Sequence, residues 1–495
     1  MRSRLAPPRA STMIESLRGL GYSVPTALAD IIDNSLAAKA SSVEVQFTWA
    51  GSSSYVTILD DGDGMDDAGL EAAMRLGGRG PLDARAAHDL GRFGLGLKTA
   101  SFSQCRRLTV ASRRNGVTSC LRWDLDIIAA SADGGWHLLE GPDPRSIGII
   151  ATIDKQPKGT LVVWELLDRI ITAGFAEQDF LDLIDLVERH LSMVFHRYLS
   201  GSFPRLKLFI NGKRTEPWDP FLTSHSATQS SPVATFGAGD STMEVQWHVL
   251  PHRDKLDEKA LRDGGGPDGW TAQQGFYVYR NQRLLLAGSW LGLGRGRAWT
   301  KEESHRLARI RVDIPNTADA DWKIDIRKST ARPPVAIRDQ LTRIAEDARE
   351  RARRVFAHRG QVVRRTDGTQ IAQAWRAEHY AGGMRYRIDS DHPAVRAVLD
   401  QAGALHPQIE AMLRIIEQTI PVQRIWLDTA EAKETPRTHF SGEDPSAVSQ
   451  ILSVMYRNML THRKLTPEVA KAQLLRTDPF NNFPELVAAL PDEFQ

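Results

Sequence analysis

Between residues 23 and 40, apolar residues recur at helical spacing, with Leu28, Ile31, Ile32 and Leu36 on one stripe. Pro25 stands near the start, where a missing N–H costs little, so a helix is predicted there. The period then changes. Val43-Glu44-Val45-Gln46-Phe47 and Tyr55-Val56-Thr57-Ile58-Leu59 alternate with period two and are predicted to be strands. Further strands are expected at residues 107–112, 118–125 and 159–165, and an amphipathic helix over 180–198 closes the block. Helix and strand patterns that alternate in this way predict an α/β sandwich.

A second strand-rich block begins near Pro204. Leu206-Lys207-Leu208-Phe209-Ile210 ends in the turn pair Asn211-Gly212, and strands are expected again at 243–250 and 275–279. Gly264-Gly265-Gly266-Pro267 is expected to be a flexible loop between them. A long helix is predicted from Val335 to about His358, and the pattern from 371 to 495 is mostly helical. The expected fold class is α+β. Four segments follow: a first α/β domain at 1–200, a second at 201–340, a basic helical linker at 341–370, and a helical domain at 371–495.

Composition adds mainly exclusions. The 495 residues carry a net charge of only +2, which makes no global case for nucleic acid. Charge is concentrated locally, because residues 343–365 contain Arg349, Arg351, Arg353, Arg354, Arg359, Arg364 and Arg365 against Glu346, Asp347 and Glu350. Either a solvated helix face or a phosphate-binding one produces such a run. Cys105 and Cys120 are the only cysteines and lack metal-ligand spacing, so no disulfide framework is expected. No apolar run approaches the roughly 20 residues of a membrane span, and no secretory signal is read, so cytoplasm is the expected compartment.

Three segments carry candidate chemistry. In Asp30-Ile31-Ile32-Asp33-Asn34 the acid and the amide are four apart and share a helix face, where they can align a water and offer oxygen to Mg²⁺. Asp60-Asp61-Gly62-Asp63-Gly64-Met65 follows a strand directly. Its glycines permit a sharp turn and close approach to a ligand, and its acid can accept a hydrogen bond from an exocyclic amine. The spacing fails the calcium-loop pattern because the closing Glu is missing. In Gly91-Arg92-Phe93-Gly94-Leu95-Gly96-Leu97-Lys98, a glycine loop runs into a predicted helix and offers backbone N–H groups to phosphate, with Lys98 as a cation. It matches neither the Walker A nor the dinucleotide-binding spacing.

The order of these segments, with Gly77-Gly78-Arg79-Gly80 between the second and third, resembles the GHKL ATPases (gyrase, heat-shock chaperone, histidine kinase and MutL types). The resemblance implies a Bergerat-type α/β sandwich that binds ATP and Mg²⁺. It makes Asn34 the Mg²⁺ ligand and Asp60 the adenine-reading acid. Gly62, Gly64, Met65 and Thr160 then line the adenine pocket, Thr160 lying within Lys158-Gly159-Thr160-Leu161-Val162. Gly91, Phe93, Gly94, Leu95, Gly96, Leu97 and Lys98 form the phosphate loop. Asp30 takes the general-base position, where most of the family has glutamate. The shorter side chain predicts slow hydrolysis, since a misplacement of about 1 Å can cost ~10²-fold in rate.

In the second block, Leu208-Phe209-Ile210-Asn211-Gly212-Lys213 and Tyr277-Val278-Tyr279-Arg280-Asn281-Gln282-Arg283 resemble the transducer domain of MORC-type GHKL proteins, bacterial ones above all. That resemblance implies a basic residue reaching the γ-phosphate. Lys328 is the candidate, with Lys323 and Arg327 as competitors. It further implies ATP-induced homodimerisation of a DNA clamp or remodeller of the kind found in bacterial restriction and phage defence. DNA is expected along the basic 343–365 segment, where Arg351, Arg353 and Arg354 are the residues to test, and a nuclease or helicase is the expected partner. A chaperone-like ATPase and a non-hydrolysing ATP sensor remain alternatives. Two-component signalling is not expected, since Asp30 lies too near the start for a phospho-accepting domain to precede it.

Overall fold

The computed structural model describes residues 8–19, 21–77, 96–201, 205–238, 241–315, 318, 321–324, 331–357, 363–364, 370–380, 383–425, 445–461, 463–477 and 480–492. They fall into two units, Met1–Ala352 and Arg353–Gln495.

The first unit begins with α1 (Ala10–Arg18) and α2 (Val24–Ala37). Ser23 caps α2 by accepting from the Thr26 amide at 3.4 Å, and Pro25 sits in the first turn as its spacing predicts. Leu28, Ile31 and Ile32 are buried, each contributing about 1.5–3 kcal/mol by leaving water. Then follow β1 (Ser42–Thr48), β2 (Tyr55–Asp60), α3 (Asp67–Met74) and α4 (Gly96–Phe102). The central strands are β3 (Arg107–Arg114), β4 (Val117–Asp124) and β6 (Gly159–Glu165). Between β4 and β6 lie α5 (Leu125–Ala130), β5 (Leu139–Glu140) and α6 (Ile147–Ile150). The layer ends with α7 (Glu177–Val194), α8 (His196–Leu199), β7 (Lys207–Ile210) and β8 (Lys213–Arg214).

These strands form one sheet in the order β5-β4-β3-β6-β2-β1-β7-β8. Both faces of β6 are covered. Val162 and Trp164 join the main core, while Leu161 and Val163 pack with Ile150 and Ile153 in a smaller cluster. On the main face α2 packs against α4 and α7. The strand expected to open the second domain belongs to this sheet instead. β7 runs parallel to β1 with Val43 opposite Leu208 and Val45 opposite Ile210, which buries the edge that β1 would otherwise expose.

A second sheet is built from β9 (Gln229–Ser230), β10 (Ala234–Ala238), β11 (Ser241–Val249), β12 (Gly275–Arg280), β13 (Arg283–Ser289) and β14 (Ala308–Ile314). The path is β10-β11-β14-β12-β13, with β12 parallel to β14 and β9 paired to β11. Asn281 and Gln282 make the tight β12–β13 turn with φ of +48° and +68°. The glycine run read as a flexible loop is the packed end of α9 (Glu258–Gly265). A Cβ on Gly264 would lie 2.4 Å from the Trp270 ring, and one on Gly266 2.4 Å from Trp218, so these glycines make room for indoles. Helix α10 (Val335–Phe356) begins in this unit, whose last residue is Ala352.

The second unit contains β15 (Val363–Arg364) paired with β16 (Gln370–Ile371), and a hairpin of β17 (Trp375–Tyr380) with β18 (Gly383–Ile388). The helices Pro393–Gln401, His406–Gln418, Pro445–Thr461, Pro467–Leu474 and Pro484–Ala488 follow. Leu452, Met455, Tyr456, Met459 and Leu474 form its core. The hairpin is an addition to the helical pattern read from sequence. Arg385 and Arg387 on β18 both bond Glu378 on β17, a charged cross-strand set that helical periodicity does not register.

Candidate active site

Asp60 ends β2 with its carboxylate buried against α2. Oδ2 accepts from Ser35 Oγ at 2.8 Å, and Oδ1 accepts from the amides of Gly62 at 2.9 Å and Thr160 at 3.2 Å. Burial raises its pKa, while the bonds from Ser35, Gly62 and Thr160 pull it back. The result is an acceptor fixed in direction by three donors.

The turn after Asp60 is held just as closely. Asp61 accepts from the amides of Ser41 and Ser42 at 2.7 and 2.8 Å, which seals the end of the strand. The Met65 amide donates to Ser112 Oγ at 2.8 Å, and that hydroxyl lies 3.0 Å from Thr160 Oγ1. Gly64 has a φ of +66°, and a Cβ there would stand 2.1 Å from the Arg113 carbonyl oxygen. The structure thus brings Asp60, Gly62, Gly64, Met65 and Thr160 together around one turn.

On α2, Asp30 and Asp33 are buried and Asn34 is exposed. Asn34 Nδ2 donates to the Asp30 carbonyl at 3.1 Å. A carbonyl can only accept, so the amide nitrogen must face it and Oδ1 points away, the oxygen a hard cation prefers. Tyr22 donates its hydroxyl to Asp30 Oδ2 at 3.0 Å. On the other side, Arg283 NH2 lies 3.6 Å from Asp30 Oδ1, and Arg283 Nε donates to Asp33 Oδ1 at 3.2 Å. Among the described residues no group of three or more His, Cys, Asp or Glu could hold a metal by itself.

The first residue of α4, Gly96, faces this acid: a Cβ on it would stand 3.8 Å from Asp30 Oδ2. Leu97 packs on the main core. Lys98, expected at phosphate, donates to the Ala73 carbonyl near the C-terminus of α3 at 2.8 Å. Burial lowers its pKa to about 8. The loop residues Gly91, Phe93, Gly94 and Leu95 lie outside the described residues, as do Gly78, Arg79 and Gly80.

Lys328 and Arg327 also lie outside the described residues, and Lys323 is exposed with a φ of +48°. Among the described residues, Arg283, the last of the Tyr-Arg-Asn-x-Arg run, reaches α2 from the second sheet. That run gave the family resemblance but no role, because a side chain reaching back 250 positions leaves no local spacing. A second joint lies beside it. His196 Nε2 and the Tyr279 hydroxyl are 2.8 Å apart, Arg197 stacks 3.5 Å over the Tyr279 ring, and Arg197 pairs with Asp313 at 2.5 Å.

The profile described as histidine kinase-, DNA gyrase B-, and HSP90-like ATPase matches residues 22–160, which span α2, the Asp60 turn, α4 and the first residues of β6. Residues 22–160 are a GHKL-type ATPase domain. The chain is also similar to the protein named ATPase morc-1 of Caenorhabditis elegans, at 27% identity over 96 residues. That stretch covers 19% of this chain and 11% of the worm protein. The α+β fold, the GHKL resemblance read from the motif order and the MORC-like resemblance read from the second block therefore stand. No helix among the described residues is long and apolar enough to cross a membrane.

The basic stretch on α10 is divided in use. Arg349 is buried with its guanidinium 4.7 Å from the rings of both Trp290 and Trp299. Arg351 pairs with Asp347 at 2.9 Å and lies 4.9 Å over Trp247. These two arginines of the expected DNA face pack on indoles, Arg351 on Trp247 of β11 and Arg349 on Trp290 and Trp299 in the segment after β13. Arg343, Arg353 and Arg354 are exposed, while Arg359 and Arg365 lie outside the described residues.

Proposed function

We propose that the chain binds ATP with Mg²⁺ across the Asp60 turn, α2 and the N-terminus of α4, and that it hydrolyses ATP slowly. The observation that carries this reading is a pair of buried acids, one on α2 and one held against it. Asp60 is a fixed acceptor at a glycine turn, and Asp30 is buried beside exposed Asn34 and the first residue of α4. Asp60 takes the exocyclic amine of adenine, because an ionised carboxylate only accepts and its neighbours fix its direction. Asn34 offers Oδ1 to Mg²⁺, which commonly takes only one or two protein oxygens and completes its shell with phosphate and water. When bound, Mg²⁺ neutralises developing charge on the phosphates. Asp30 orients the attacking water and takes its proton. The amides at the start of α4 supply donors and the positive end of the helix dipole.

The test is nucleotide binding by Asp60→Asn, which puts an amide in place of the acceptor. Titration with a fluorescent ATP analogue should show tight binding by the wild type and a loss of at least ~10-fold in the variant, the worth of one buried charged hydrogen bond. Equal binding by both would sink the assignment of the adenine pocket.

One observation supports a second reading, a nucleotide sensor with little turnover. Both oxygens of Asp30 already face partners, Tyr22 and Arg283. On either reading the second sheet is the transducer, Lys328 is its candidate contact to the γ-phosphate, and ATP drives homodimerisation. DNA is then held by the exposed arginines of α10, as a clamp on duplex would require. The worm protein's name speaks only of an ATPase, so this assembly rests on the basic helix and on the general logic of the fold.

A further inference from the structure

The β12–β13 turn reaches out of the second sheet and ends against the helix that carries Asp30. Arg283, the first residue of β13, is buried, with its guanidinium beside the carboxylates of Asp33 and Asp30. Nε donates to Asp33 Oδ1 at 3.2 Å, NH2 lies 3.6 Å from Asp30 Oδ1, and NH1 donates to its neighbour's carbonyl, Leu284 O, at 2.8 Å. Asp33 and Asp30 are three residues apart, so one guanidinium spans both on the same helix face. The turn itself is pinned, since Tyr198 donates its hydroxyl to the Asn281 carbonyl. A planar fork held at its base and engaged at its tip transmits small displacements, which a flexible lysine would not.

We propose that Arg283 is the positioning residue of the hydrolytic site, holding Asp33 and Asp30 in place from the second sheet, so that hydrolysis depends on that sheet being docked. This inference rests on the reading of Asp30 as the base. The contacts of Arg283 are with Asp33, Asp30 and the Leu284 carbonyl, so its proposed role is indirect. It acts through Asp30, whose two oxygens are set by Arg283 on one side and Tyr22 on the other. Coupling runs both ways by linkage: whatever moves α2 on nucleotide binding changes the contact at Arg283 and so biases the second sheet.

The experiment uses the full chain with four variants: Arg283→Met, Arg283→Lys, Asp33→Asn, and Arg283→Met combined with Asp33→Asn. The last leaves one fewer unpaired buried charge and keeps the test open if Arg283→Met alone fails to fold. Two quantities are read on each folded variant. One is steady-state turnover against analogue affinity. The other is hydrogen exchange of the peptide covering Tyr279 to Leu284, with and without a saturating non-hydrolysable ATP analogue. Arg283→Met should lower kcat by ~10-fold or more, as misplacement of a reacting group does, with analogue affinity within ~3-fold of wild type. Arg283→Lys, which keeps the charge, should recover part of the loss. The combined variant should be no slower than the slower single one, since both act through one chain of contacts.

In the wild type, analogue binding should change exchange in the 279–284 peptide, and the change should vanish in Arg283→Met while nucleotide still binds. Wild-type kcat in folded Arg283→Met or in the combined variant would overturn the proposal. So would an exchange pattern in the wild type that nucleotide leaves untouched, and that readout decides the matter even if turnover is too slow to measure. Failure of the wild type to bind nucleotide at all would instead overturn the proposed function.

Discussion

Arg283 Nε donates to Asp33 Oδ1 at 3.2 Å, a contact that joins residues 250 positions apart and ties the second sheet to the helix of the nucleotide site. Both side chains are almost fully buried. Removing one partner leaves the other's charge in a poor solvent, which commonly costs about 3–5 kcal/mol. Arg283→Met should therefore lower unfolding stability in urea by roughly 3 kcal/mol, and adding Asp33→Asn should return part of it. A single variant as stable as the wild type would mean that the pair is solvated in solution.

Gly159 precedes the strand residue that bonds Asp60, and it adopts a φ of +140° with a hypothetical Cβ only 2.0 Å from the Asp60 carbonyl oxygen. Backbone meets backbone there, so nothing can yield cheaply. Gly159→Ala should cost about 3 kcal/mol and abolish nucleotide binding. Gly116→Ala provides the contrast. It too has positive φ, +80°, but nothing lies within 4 Å, and the cost should be about 1 kcal/mol with binding intact. Thermal melts and analogue titration on the two variants check both statements.

His196 and His248 are held well below the ordinary histidine range, near 4, because burial penalises their charged forms. Both stay neutral in the fold while the unfolded chain protonates as pH drops past about 6.5, so the unfolded state binds more protons and stability is lost between 6.5 and 4. The expected loss is roughly 1 kcal/mol per histidine by pH 5.5. Replacing both with glutamine should flatten the urea midpoint between pH 7 and 5.5 relative to wild type. An unchanged slope would show that other groups set the acid limb.

On α10, the Arg349 guanidinium lies 4.7 Å from the rings of Trp290 and Trp299, whereas Arg343 and Arg353 are exposed. Arg349→Ala should destabilise the fold by about 1–2 kcal/mol through lost stacking and packing. Reversing Arg343 and Arg353 to glutamate should leave stability nearly unchanged and weaken duplex retention. The salt slope should fall by about one per phosphate contact removed. Gel-shift titrations at two salt concentrations separate the effects, and equal retention by the reversed protein would remove DNA from this helix.

Much of this was legible from residue order. The α2 stripe, the alternation of β1 and β2 and the Asp60 turn are local patterns, and local patterns fix local structure. Two features were not legible, for a common reason. β7 carries the same alternation whichever sheet it joins, and only the unpaired edge of β1 decides its place. Arg283 was visible as part of a motif, yet its partners lie on α2, and no spacing rule connects them. Lys98 shows the opposite limit. Its position after a glycine loop suggests phosphate, and its amine also bonds the Ala73 carbonyl of a neighbouring helix, a partner that the spacing does not predict. The arginines of α10 look alike in sequence and part company only where the rings of Trp247 and Trp290 meet them.

The most direct measurement is phosphate release from Mg²⁺-ATP by the wild type and by Asp30→Asn, with analogue binding measured on the same samples. Asp30→Asn keeps the shape of the buried acid while removing its ability to take a proton. The account predicts slow release by the wild type, a loss of ~10²-fold or more in the variant, and equal nucleotide affinity for both. Turnover that survives in Asp30→Asn, or an absence of nucleotide binding in the wild type, would contradict it.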